Sequence, residues 1–135
     1  MDSRDFAGRR GASYNTMKEF SQYDTAYFKR LDHWSGSEEY RREVDQIIQP
    51  LNLKRGDKVL DVGCCSGNAG LYVSKITGCD VLGVDAVEEF VRRCKIKAVL
   101  GDAQQLPFED ASFDAVYILH VIGHVARPRK VLQEV

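Results

Sequence analysis

No apolar run in this 135-residue chain approaches the roughly 18 residues that a membrane-crossing helix needs. The start, Met1-Asp2-Ser3-Arg4-Asp5, lacks the apolar core of a secretory signal. Excess charge of either sign is also lacking. With 19 Lys and Arg against 20 Asp and Glu, the formal net charge is −1, and no bulk basic field draws nucleic acid or an anionic membrane. Cysteines number four, at 64, 65, 79 and 94, which fits neither the paired CxxC spacing of a zinc site nor a dense disulfide framework. They read as reduced thiols; no metal is expected, and the expected compartment is the cytoplasm. What remains, 44% hydrophobic and 29% charged residues, suits one globular domain and leaves no room for a second.

The chain divides near residue 35. Eight of the 13 aromatics (Phe6, Tyr14, Phe20, Tyr23, Tyr27, Phe28, Trp34, Tyr40) fall in the first 40 positions, where strand signals are absent. Residues 1–15, rich in Arg, Gly, Ser and Asp, are expected to be mobile. Met17, Phe20, Tyr27, Phe28 and Leu31 follow a broken helical stripe, and Tyr23, Tyr27, Phe28 and Trp34 serve either as core or as a lid over an apolar acceptor.

Residues 36–135 read as strand and helix in alternation. Ser35 or Ser37 caps a helix with Tyr40, Val44, Ile47, Ile48 and Leu51 on its apolar face, ended by Pro50. Lys58 to Val62 is a strand; Ala69, Tyr72, Val73 and Ile76 mark a helix stopped by Gly78. Asp80 to Asp85 is a second strand, and Val87, Phe90, Val91 and Cys94 mark another helix. Lys97 to Leu100 and Asp114 to Leu119 are strands three and four, the last apolar enough to be covered on both faces. A helix begins near Pro128. This alternation predicts an α/β fold, a parallel sheet wound in right-handed crossovers, with its ligand crevice at the carboxyl ends of the strands.

Three acids stand at those ends. Asp61 lies two residues before Gly63-Cys64-Cys65-Ser66-Gly67, a turn that brings backbone N–H groups and a helix N-terminus close to a ligand. Asp85 closes the second strand, where an acid accepts hydrogen bonds from a ribose diol. Asp102, followed by Ala103, follows the third, placed to accept from an adenine amino group while Ala103 N–H donates to the ring. Ala86 and Val87 flank the base. Taken singly, each acid also reads as a turn or cap residue. The dinucleotide pattern GxGxxG is broken at Cys65 and Asn68, and Asp61 would repel a pyrophosphate. A cofactor bearing an ammonium and a sulfonium would be attracted, and S-adenosyl-L-methionine is such a cofactor.

The segments VLDVGCCSGNAG, LGVDAVEEF, GDAQQLPFEDASFDAVY and VIGHVARPRKVLQEV, between Val59 and Val135, resemble the class I S-adenosylmethionine-dependent methyltransferases, most closely the ubiquinone/menaquinone-biosynthesis group. The resemblance implies a Rossmann-like parallel sheet of order 3-2-1-4 with flanking helices and a small-molecule methyl acceptor. By it, Asp61, Gly63, Cys65 and Gly67 match the loop that holds the methionyl part, Asp85 with Ala86 the ribose site, and Asp102 with Ala103 the adenine site. Leu119 and His120 match the place where methyl group and acceptor meet. His124 matches a recurrent family histidine. For an acceptor that must lose a proton, His120, His124 or Tyr23 are the candidates, although a structural role at a helix start suits His124 equally and a loop or core role suits His120 better.

Two departures stand out. Cys65 replaces the family's middle glycine, from which weakened cofactor binding is expected. The family sheet has seven strands, whereas this chain reaches its fourth and the following helix. That strand is expected to show an apolar edge, to be covered by a second copy, a partner or the aromatic segment. The alternatives to a methyltransferase are a non-catalytic cofactor-binding or interaction module and, less favoured by Asp61, an NAD-dependent oxidoreductase.

Overall fold

The computed structural model describes residues 24–135. Its elements are α1 (Thr25–Ser35), α2 (Glu38–Ile48), β1 (Lys58–Val62), α3 (Asn68–Thr77), β2 (Asp80–Asp85), α4 (Glu88–Arg93), β3 (Ala98–Leu100), β4 (Ala115–Ile118) and α5 (Pro128–Glu134), with single 3-10 turns at Gln49–Leu51 and Ile122–His124. The strands form one sheet, β3-β2-β1-β4, all neighbours parallel. Order and direction are those expected.

Local chemistry sets the helix ends. Asp24 caps α1 by accepting from the Tyr27 N–H at 2.8 Å. Ser37, not Ser35, caps α2, accepting from Tyr40 N–H at 3.2 Å. Leu51 departs from its expected buried face: the turn at Pro50 tightens the chain before that residue comes round, leaving it 37% exposed. Strand three begins at Ala98 instead of Lys97, and strand four is trimmed to 115–118.

Alternation along β1 divides the core. Val59 joins Val81, Tyr117 and Leu119 beneath α2 and α3, where Tyr40, Val44, Ile48 and Val73 are buried. Leu60 and Val62 face the other way, with Val84, Ala103 and Val131 of α5. Strand β4 is less covered than its apolar sequence predicted: Tyr117 is buried, while Ala115, Val116 and Ile118 are half-buried. As the outermost strand of the described sheet it has a neighbour on one side only. Of the residues read as a helical stripe or a lid, Met17, Phe20 and Tyr23 lie outside the described residues, as do residues 1–15. Phe28 is buried against Phe90, ring centroids 5.2 Å apart, whereas Tyr27, Leu31 and Trp34 face a cavity at the strand tips.

Candidate functional site

The carboxyl ends of β1, β2 and β4, and the loop after β3, open into a single cavity of about 320 Å³. One wall is the turn after β1. Gly63 and Cys64 both donate backbone N–H groups to the Val84 carbonyl, at 2.7 and 3.1 Å, and Gly67 donates to the Cys64 carbonyl at 2.8 Å. Gly63 has φ +78°, and a Cβ there would lie 2.0 Å from Val121 Cγ2, so glycine is required both by conformation and by the close approach of the segment after β4. Gly67 (φ +81°) precedes α3, and a Cβ would meet Cys94 Sγ at 2.7 Å. It packs behind the turn and does not line the cavity, unlike Gly63, Cys65 and Asn68.

Cys65 occupies the left-handed region at φ +48°, where a glycine would be unstrained. Its backbone N–H donates to Asp85 Oδ2 at 2.9 Å, and Val87 N–H donates to Oδ1 at 3.0 Å. Burial raises the Asp85 carboxyl above its ordinary range, while the N–H groups of Val87, Cys65 and Ala86 oppose the rise. Asp102 holds its loop by accepting from Gln104 N–H at 2.8 Å. Asp85, Ala86, Val87, Asp102, Ala103 and Leu119 all line the cavity.

Asp61 corrects the expectation of three carboxylates gripping a ligand together. It is 2% exposed and lies beneath the cavity, its Oδ2 where a Cβ on Gly70 of α3 would come within 3.3 Å. Neither this oxygen nor the buried Tyr117 hydroxyl has a hydrogen-bond partner. Burial pushes the Asp61 carboxyl up to about 7, and the charge of Asp85 adds to the rise. Asp61 therefore does not line the cavity.

The opposite wall is aromatic. His120, just beyond β4, also stands in the left-handed region at φ +57°, with its ring edge-on to Trp34 at 5.0 Å and stacked on Tyr40 at 6.1 Å. Its Nε2 lies 2.8 Å from Glu43 Oε2 of α2. A non-glycine residue held there costs about 1 kcal/mol and persists where the surroundings over-determine it. His124, in the turn Ile122–His124, is exposed at the cavity rim. Tyr23 lies outside the described residues.

Glu43 was not legible as a site residue, since it lies on the polar face of a helix 77 positions from His120. Asn68 stands in the sequence only as the residue that breaks a glycine pattern. It lines the cavity and donates Nδ2 to the Asp32 carbonyl at 2.9 Å and to Ser35 Oγ at 2.9 Å, while Lys95 Nζ donates to its Oδ1 at 2.8 Å. This network fastens α1 over the start of α3. The Lys95 ammonium beside Asp32 holds that carboxyl below its ordinary range.

The fold is that of a Rossmann-like α/β sheet, and comparison gives the family. The sequence profile of the methyltransferase domain matches residues 60–135, and the chain belongs to that family. Sterol 24-C-methyltransferase of Candida albicans is 28% identical over 126 residues, 82% of this chain and 34% of that enzyme. The Saccharomyces cerevisiae sterol 24-C-methyltransferase is 25% identical over 137 residues, 90% of this chain and 36% of that one. The chain thus spans about a third of the length of these relatives. Among solved structures, a SAM-dependent methyltransferase from Aquifex aeolicus gives a TM-score of 0.67 at 22% identity, over 82% of this chain and 64% of that one. The [4+2]-cyclase SpnF gives 0.64 at 23% identity, over 69% and 38%. At such identities the likeness is one of fold: the four strands are part of the methyltransferase Rossmann-like sheet.

Proposed function

We propose that this chain binds S-adenosyl-L-methionine across the tips of its sheet and presents the methyl group to an apolar small molecule. The observation that carries the reading is the charge of the cavity. Asp85 and Asp102 stand in its wall, Asp61 lies beneath, and no lysine or arginine is among its described lining residues. Such a hollow disfavours a dinucleotide's pyrophosphate and favours a cation. The orphaned, buried Asp61 oxygen suits a bound positive charge, which would stabilise its ionised form.

In this reading the Gly63–Cys65 turn and the N-terminus of α3 hold the methionyl part, the helix end suiting its carboxylate. Asp85 accepts from the ribose hydroxyls, Asp102 and Ala103 N–H read the adenine, and Ala86 and Val87 flank it. The cofactor supplies an electrophilic methyl carbon on a sulfonium. Leu119, Trp34, Leu31 and Val121 exclude water and orient an apolar acceptor, which is much of what such a displacement requires. Where the acceptor must lose a proton, His120, steadied by Glu43, takes it; His124 and Tyr23 are the further candidates. Sterols, named as the substrates of the matched relatives, have the apolar character this wall would take.

A second reading is a binding module without turnover. It is favoured by the sharing of this fold with a protein named as a cyclase. Calorimetry with S-adenosylmethionine, S-adenosylhomocysteine and NAD tests the cofactor: the first two bind, NAD does not, and Asp85→Asn weakens binding about tenfold. Transfer of labelled methyl to an unsaturated sterol then separates the two readings, since tight binding without transfer supports the module. In the catalytic case Glu43→Gln leaves S-adenosylhomocysteine affinity within about twofold and lowers turnover about tenfold.

A further inference from the structure

Cys64 and Cys94 stand 30 positions apart, and their sulfurs are 3.8 Å from one another behind the turn after β1. Each thiol sits where only glycine leaves room: a Cβ on Gly83 would lie 2.6 Å from Cys64 Sγ, and one on Gly67 would lie 2.7 Å from Cys94 Sγ. Two absent side chains thus make the slot in which the sulfurs meet. Cys64 is buried at 5% exposure, while Cys94, in the extended residue that ends α4, is half-buried and reachable by a small oxidant. Among the described residues no group of three His, Cys, Asp or Glu side chains is placed to hold a metal, so the pair is left with two-thiol chemistry.

We propose that Cys64 and Cys94 are a peroxide-responsive dithiol, whose disulfide tethers the turn after β1 to the end of α4. The pairing with Cys64 and the N–H of Ile96 hold the Cys94 thiol below its ordinary range, and the same pairing together with burial pushes the Cys64 thiol up. Cys94, the more exposed of the two, is the attacking sulfur, and Cys64, buried beside it, the resolving one. The Cys94 thiolate attacks one oxygen of hydrogen peroxide; the O–O bond breaks, leaving a sulfenic acid and hydroxide. Cys64 sulfur then attacks the sulfenic sulfur, the S–S bond forms, the S–O bond breaks, and water leaves with the thiol proton. In sum, two thiols and one peroxide give one disulfide and two waters. Closing the gap from 3.8 Å to the roughly 2.05 Å of a disulfide requires a shift of less than about 2 Å. Cys64 lines the cavity, so the bond acts directly on the ligand-facing turn.

The test uses the full chain with equimolar hydrogen peroxide, quenched with an alkylating reagent and mapped by peptide mass spectrometry. The expected product is a Cys64–Cys94 cross-linked peptide, removed by dithiothreitol, with a reversible rise in Tm because a 30-residue loop is closed. Cys65→Ser keeps the cross-link; Cys94→Ser abolishes it and leaves Cys64 alkylated. Mapping in the wild-type and Cys65→Ser chains does not depend on the Cys94 variant folding. A vicinal Cys64–Cys65 bond, over-oxidation of Cys94 without cross-linking, or thiols that all remain alkylatable would overturn the proposal.

Discussion

The two walls of the cavity are built differently. The turn after β1 is a lattice of short hydrogen bonds: the N–H groups of Gly63 and Cys64 to the Val84 carbonyl, Cys65 N–H to the Asp85 carboxylate, Gly67 N–H to the Cys64 carbonyl, and Lys95 N–H to the Ser66 carbonyl at 2.9 Å. Asp61, Cys64, Ser66 and Gly67 are all buried. The segment after β4 is open. Ile122 and His124 are exposed, and its ties are few: His120 to Glu43, His124 N–H to the Val121 carbonyl at 2.9 Å, and Arg127 N–H to Gln104 Oε1 at 2.9 Å. One wall is closely tied by hydrogen bonds; the other is loosely held.

The walls meet at Gly63 and Val121, and the largest loss is expected there. Gly63→Ala combines a disfavoured backbone with a methyl 2.0 Å from Val121 Cγ2, and should cost about 3 kcal/mol of stability. Trimming the opposing side in Gly63→Ala/Val121→Ala should return about 1 kcal/mol beyond additivity. Chemical denaturation of the four members of the cycle measures this. Strict additivity would show that the walls do not lean on each other.

Asp61→Asn sharpens the contrast from beneath. Its carboxyl stands at about 7 against an ordinary 3.8, so the folded state holds a proton that the unfolded chain has released. The stabilising contribution of that proton is complete below about pH 3.8 and is lost as pH rises through about 7. The variant should therefore gain on the order of 4 kcal/mol at pH 8 and nothing near pH 3.5. S-adenosylmethionine affinity should fall about tenfold, more than that of uncharged-sulfur S-adenosylhomocysteine. Equal stability of variant and wild type at pH 8 would remove the electrostatic role given to Asp61.

The smallest effect is expected at Cys65→Gly. Relief of the left-handed strain at φ +48° is offset by the greater freedom of glycine in the unfolded chain, leaving stability within about 0.5 kcal/mol. S-adenosylhomocysteine affinity should rise about threefold as the side chain leaves the cavity wall. Calorimetry beside thermal unfolding checks both. A fall in affinity would mean that the thiol contributes to the site instead of narrowing it.

The sheet was legible because its strands are short apolar runs separated by helices of clear period, and chirality leaves one way to wind them. Leu51 was misplaced because periodicity runs on past a proline that the backbone cannot follow. The acids at the strand ends were legible for the same topological reason. Their depth was not: Asp61 and Asp85 have the same spacing logic, yet α3 covers one while the other opens to the cavity.

The order of residues alone determined the parallel sheet, the edge at which the cavity opens, and the negative sign of the groups gathered there. Only the tertiary structure decided that Glu43 meets His120 across 77 positions, that Asn68 and Lys95 bind α1 down, and that Cys64 faces Cys94. Periodicity and turn chemistry act over a few residues and can be read along the chain. Contacts between distant side chains are set by how the layers come to rest on one another, and no local pattern encodes that.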